Sequence, residues 1–469
     1  MGYNMTTQLR LGSFTRTSSG LTASLLLLAL GGCDGNDVSI PIAPDSAASV
    51  VRHQPNDIDS LVAAASVEPS EQEIGGSSGA VAELAGNAEC GVSIYHVVYQ
   101  THDPSGALAT ASEGVMIPTG TSAECTGARP VLLYSHGTTT KKSYNTADPL
   151  HTPEALMVEA FFAAHGYIVI MPNYLGYDVS SLAYHPYLNA DVQAHDMIDG
   201  LQAGLNQVVS AGGVSSSGKL FVAGYSQGGH VAMATDRLLE RDFADQFPVT
   251  AAAPMSGPYN LVNFGDTVVG GAVNIGATLF MPYLLTSYQN SYGNIYGSPS
   301  EVYQPPFDQS APTLFPTDTP VSTLMADGLL PNDPTFRLLF GAGGLLTDTF
   351  RQNYPTTTFR AALQTNTLLG WNPKAPMALC GGNEDPTVYF SNAVDAQADF
   401  ASRAISVPLW DLEVKSSLPT GKTYTEVYYA FQLAKARAGT DMQMTYHGLL
   451  VPPFCMALTR GFFATFLDQ

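Results

Sequence analysis

Four short runs, apolar nearly throughout, limit what this chain can fold into. Pro130-Val-Leu-Leu-Tyr-Ser135, Tyr167-Ile-Val-Ile-Met171, Lys219-Leu-Phe-Val-Ala223 and Val249–Met255 lack the polar alternation of a half-solvated strand. A strand apolar on both faces has to be buried on both. The segments between these runs read as helices. Thr152-Pro153-Glu154 opens one, with a capping hydroxyl, a proline at the first helical position and an acid in the first turn. It should run to about His165-Gly166, and Asp191 to about Ser210 and Gln227–Asp242 form two more. Such alternation means a mostly parallel sheet with helices on both faces, an α/β fold. Upstream, Ser93–Gln100 and Ala107–Ile117 read as a strand pair turned at Asp103-Pro-Ser-Gly106.

The rhythm breaks over 263–370, which is rich in Tyr, Gly, Pro and Leu and reads as a largely helical cap inserted into the core. It resumes with a strand at Pro376–Cys380 and a helix at Asn392–Arg403. Val451–Phe466 is apolar enough for a core helix, and Pro452, Pro453 and Arg460 argue against a membrane span. The core is thus expected in two parts, 86–262 and 371–469.

The chain carries 19 Lys+Arg against 40 Asp+Glu, a formal charge of −21, which argues against a nucleic-acid partner. With 45% apolar residues, most of it should fold. Residues 1–32 read as an export signal: Arg10 and Arg16, then the apolar run Leu21–Leu30. Leu30-Gly31-Gly32-Cys33 resembles a bacterial lipobox, which implies acylation of Cys33 and a membrane-anchored lipoprotein, periplasmic or at the cell surface. Residues 33–85 show no sustained periodicity and are expected to form a flexible tether. The other four of the five cysteines, Cys90, Cys125, Cys380 and Cys455, suit two disulfides in an oxidising compartment. Three pairings are open, and the nearest pairs, Cys90–Cys125 and Cys380–Cys455, are favoured.

Gly224-Tyr225-Ser226-Gln227-Gly228 lies between a buried strand and a helix, the setting in which G-x-S-x-G presents a nucleophilic serine. A serine hydroxyl needs a neighbouring base to react at neutral pH. Two histidines, His230 and His447, follow Ser226 in the chain. His230 sits one turn along the same helix, pointing away, so His447 is the candidate base. The acid that orients it should follow the strand 376–380. Asp385 is preferred to Glu384 because Asp-Pro-Thr-Val opens the next segment, with Asp411 in reserve. The backbone amides of Gln227 and Thr138, with Gly137 next, are the candidate oxyanion donors. His136 reads as a structural residue of the Ser135–Thr139 loop. No metal or cofactor motif appears, and none is expected.

Tyr134-Ser-His-Gly-Thr-Thr, Pro172-Asn-Tyr-Leu-Gly-Tyr-Asp, His185-Pro-Tyr-Leu and Gly224-Tyr-Ser-Gln-Gly-Gly together resemble the secretory lipases of the α/β-hydrolase fold, the yeast lipase A type and its bacterial relatives. The resemblance covers about residues 90–469. It implies an esterase or lipase acting on acyl esters or acylglycerols, a helical cap over the site, and the roles of nucleophile, acid and base for Ser226, Asp385 and His447. A serine peptidase or amidase on the same fold is the alternative reading. A non-catalytic, membrane-tethered binding protein is the alternative of another class.

Overall fold

The computed structural model describes residues 49–64, 78–209 and 213–468, all within one unit, Pro44–Gln469. The expected signal segment 1–32 and Cys33 lie outside the described residues.

The chain begins with β1 (Ser49–His53), α1 (Pro55–Ala64) and α2 (Ser78–Ala85). A long hairpin follows, β2 (Gly91–His102) and β3 (Leu108–Thr119). The alternating part comprises β4 (Gly127–Ser135), α3 (Pro153–Phe161), β5 (Ile168–Pro172), α4 (Ala190–Gly204), β6 (Val214–Tyr225), α5 (Gln227–Asp242) and β7 (Val249–Met255). The nine strands of the described residues form one sheet in the order β1-β2-β3-β5-β4-β6-β7-β8-β9, completed by β8 (Leu379–Gly381) and β9 (Leu409–Asp411). The three pairings from β1 to β5 are antiparallel, and every pairing from β5 to β9 is parallel.

β5 is buried along its whole length, as its unbroken apolar sequence requires. α4, α5 and α11 (Ser391–Ser402) supply one apolar layer. α3, α12 (Lys422–Ala438) and α14 (Val451–Ala464) supply the opposite one. Between α12 and α14 lie the single turn α13 (Met442–Thr445) and a wide turn, Tyr446–Leu450. Two disulfides, Cys90–Cys125 and Cys380–Cys455, join the pairs nearest in sequence, with Cα atoms 5.5 and 5.7 Å apart.

The insertion has its own apolar core. Its helices are α6 (Leu261–Gly270), α7 (Ala277–Tyr292), α8 (Val321–Ala326), α9 (Asp348–Asn353) and α10 (Thr358–Thr365). The longer ones stand at the two ends. Residues 293–347 are mostly irregular with short 3₁₀ turns, because prolines such as Pro299, Pro305, Pro306, Pro312 and Pro316 remove the amide donors a helix needs. The cap is therefore less helical than its sequence suggests.

The expectation of a free tether over 33–85 fails for 49–64 and 78–85. β1 pairs with the edge of β2, Val51 opposite Ile94. Ile58 and Val62 of α1, and Val81 and Ala85 of α2, sit four residues apart and are buried in the α3–α14 layer. Two fully buried apolar residues per helix make a stripe too short to stand out among Ala, Ser and Asp. His53 Nδ1 lies 2.8 Å from Glu159 Oε1 of α3, tying the arm to the core through a buried pair.

Candidate active site

Ser226 stands between β6 and α5 with φ 60° and ψ −121°, a conformation that side-chain-bearing residues seldom adopt. The surrounding backbone leaves room for hydrogen alone at two flanking positions. A Cβ at Gly224 would overlap the carbonyl of Gly228, and one at Gly228 would overlap the carbonyl of Ser135. The elbow and the end of β4 are thus in direct backbone contact.

His447 lies in the turn before α14. Its Nε2 is 2.7 Å from Ser226 Oγ, and its Nδ1 is 2.6 Å from Asp385 Oδ2. A neutral ring serves both contacts with its proton on Nδ1, donating to Asp385, and Nε2 accepting from the serine hydroxyl. The other carboxylate oxygen, Oδ1, accepts from the amides of Thr387 and Val388 at 2.9 and 3.0 Å, so the acid is held on both sides. The Tyr225 hydroxyl donates to the His447 carbonyl at 2.6 Å. The Tyr446 hydroxyl donates to Glu413 Oε1 at 2.7 Å, and Lys435 bridges Glu413 and Glu384.

The residues not preferred from sequence take structural places. Glu384 faces Lys435 at 2.7 Å. Asp411 accepts from the amides of Asn383 and Glu413, fastening the turn that carries Asp385. His230 is buried against the Asn366 carbonyl, and burial lowers its pKa to about 4.

In the Ser135–Thr139 loop the Gly137 amide donates to Glu154 Oε2 at 2.9 Å, which leaves Thr138 as the next amide along. The Thr138 hydroxyl lies 2.9 Å from the Tyr187 hydroxyl. His136 is stacked on Tyr174, with ring centres 4.1 Å apart, and packs against Tyr144. Burial lowers its pKa to about 4, which suits a structural residue rather than a second base. His185 donates through Nδ1 to the Leu175 carbonyl and faces the side-chain amide of Gln227 through Nε2, 2.6 Å away. Burial holds it neutral, its pKa lowered to about 3.

Ser226 and Gln227 line a narrow cavity of about 60 Å³ together with cap residues Phe264, Val268, Phe280, Met281, Leu284 and Phe359. Sequence reasoning missed Glu154, Tyr187 and Tyr225 as parts of the site. Glu154 reads as a first-turn acid, and the tyrosines are hidden among the 23 in the chain. His185 was visible in the His185-Pro-Tyr-Leu motif, though not its contact with Gln227.

A mostly parallel sheet covered on both faces, with a strained serine between strand and helix, defines the α/β-hydrolase fold. The chlorophyllase family matches residues 92–244, well under half of the chain. No curated protein matches the sequence. Among solved structures, a mutant of the rice cell wall degrading esterase LipA from Xanthomonas oryzae is 27% identical with a TM-score of 0.72, covering 90% of this chain and 99% of that one. A ligand-bound form of LipA has a TM-score of 0.70 at 27% identity, covering 91% and 99%. Candida antarctica lipase A in its closed state shares the fold at 13% identity and a TM-score of 0.50, covering 78% and 86%. The chain is similar to esterases and lipases that share the α/β-hydrolase fold, and it is a hydrolase of that fold.

Proposed function

We propose that this protein is a serine carboxylic ester hydrolase acting on acyl esters or acylglycerols. The observation that carries the reading is the relay from Ser226 Oγ through His447 to Asp385, with contacts of 2.7 and 2.6 Å, set at an apolar cavity. Ser226 Oγ attacks the ester carbonyl carbon while His447 Nε2 takes its proton. The amides of Gln227, at the start of α5, and Thr138 hold the oxyanion. His447 returns the proton to the departing alkoxide as the carbon–oxygen bond breaks. Water, deprotonated by the same nitrogen, then releases the acid from the acyl-enzyme. Asp385 keeps the ring in its tautomer and stabilises the imidazolium.

The lining residues of the cavity include neither Lys nor Arg to hold a peptide terminus, which favours an ester over a peptide substrate. We place the enzyme outside the cytoplasm, a reading that two disulfides support. Anchoring through Cys33 rests on Leu30-Gly-Gly-Cys33 alone. Palmitate labelling should be lost in Cys33→Ala, and unlabelled parent protein would remove the anchor from the proposal.

The deciding assay compares p-nitrophenyl esters from acetate to palmitate with peptide p-nitroanilides, in the parent, Ser226→Ala and His447→Ala. Loss of nucleophile or base should lower kcat by about 10⁶-fold. Ester turnover indifferent to Ser226→Ala would sink the reading. Anilide cleavage without ester cleavage would turn it to a peptidase, and silence on both to a binding protein.

A further inference from the structure

Glu154 is fully buried in the first turn of α3, directly beneath the loop that carries Thr138. Its Oε2 accepts from the Gly137 amide at 2.9 Å, and its Oε1 accepts from the Tyr134 hydroxyl at 2.9 Å. Tyr134 is the penultimate residue of β4, so the two contacts bracket Ser135 and His136 on the approach to Thr138. No step of ester hydrolysis described above uses this carboxyl group.

Resting on the serine-ester reading, we propose that Glu154 is a positioning residue for the oxyanion loop. It draws the Gly137 amide into the core, so that the loop presents the Thr138 amide to the substrate, and it does so as a neutral acid. In the neutral form the proton sits on Oε1 and is donated to the Tyr134 hydroxyl oxygen, while Oε2 still accepts from Gly137, so the loop keeps its shape. In the ionised form a buried negative charge would sit one residue from an oxyanion donor and oppose the charge that develops there.

The environment fits that assignment. Burial raises the Glu154 pKa to about 8. The ionisable groups facing it are Tyr134 of β4, Tyr225 of β6 and Tyr174 beyond β5, all raised well above their usual value by burial. His136, in the loop itself, has its pKa lowered to about 4. These groups are neutral at pH 7, so they supply no positive charge to stabilise an ionised Glu154.

The test measures kcat and KM for a short p-nitrophenyl ester between pH 6 and 10 in the parent, Glu154→Gln and Glu154→Ala, all in the full chain. Gln keeps an acceptor for Gly137 and cannot ionise, so its kcat near pH 7 should stay within about threefold of the parent, while the decline in kcat above about pH 8 disappears. Ala frees the loop and should lower kcat by about 10²-fold with KM nearly unchanged, the size seen when one oxyanion donor is lost. If the alanine variant does not fold, the glutamine variant decides alone. An alkaline decline in Glu154→Gln that superimposes on the parent's overturns the inference, as does a folded Glu154→Ala at parental kcat. Ser226→Ala, run beside them, reads the underlying assignment separately: turnover equal to the parent's would overturn the serine mechanism and this inference with it.

Discussion

Glu384 and Asp385 are neighbours in sequence with opposite roles. Asp385 is buried against His447 and two backbone amides, whereas Glu384 meets Lys435 near the surface. Asp385→Asn should therefore lower kcat by about 10⁴-fold, because an amide cannot hold the required tautomer. Glu384→Gln should leave kcat within about twofold, since an exposed ion pair contributes little. Stopped ester turnover under saturating substrate compares the two, and equal losses would show that the acid has been misassigned. The candidates Ser226 and His447 could be picked out in the sequence, the serine from its strand–turn–helix setting and the histidine from chain order. Glu154, Tyr225 and Glu413 could not, because no motif or chain-order rule points to their partners Gly137, His447 and Tyr446.

At the scale of elements, the cap grips the loop that follows β4, which carries the proposed oxyanion donor Thr138. Tyr283 of α7 donates to the Thr139 carbonyl at 2.8 Å, and the Thr317 amide donates to the Thr140 carbonyl at 2.7 Å. Asp318 accepts from the Ser143 amide and hydroxyl. Wholesale opening of this side of the cap would disturb Thr138, so turnover should rise smoothly through the substrate's solubility limit, with a change of at most about twofold beyond saturation. A sharp jump at the onset of emulsion would contradict that. The disulfide Cys380–Cys455 ties β8, just before Asp385, to α14, just after His447. Replacing both cysteines by serine should lower stability by about 4 kcal/mol in the chain-entropy model, read as a fall in the denaturant midpoint. The four central strands, β4 to β7, were legible because unbroken apolar runs have one physical solution. The middle of the cap was less so, since prolines forbid helices without saying what replaces them.

Across the whole molecule, the arm segments 49–64 and 78–85 close one sheet edge and part of one helical layer. The arm's buried pair makes this closure pH-dependent. The hydrogen bond to Glu159 raises the His53 pKa, and burial raises that of Glu159. His53 holds its proton more tightly when folded, so its contribution is full below the unfolded histidine value of about 6.5 and fades as pH rises through the folded one. The Tm difference between the parent and His53→Gln should be larger at pH 5.5 than at pH 8.5; the reverse order would refute the linkage. Arg460 of α14 donates to the carbonyls of Ala85 and Phe161, so the arm, α3 and the last described helix share one side chain. During synthesis the arm emerges hundreds of residues before that arginine. It cannot finish docking until α14 arrives, which makes closure of the arm a late event in folding.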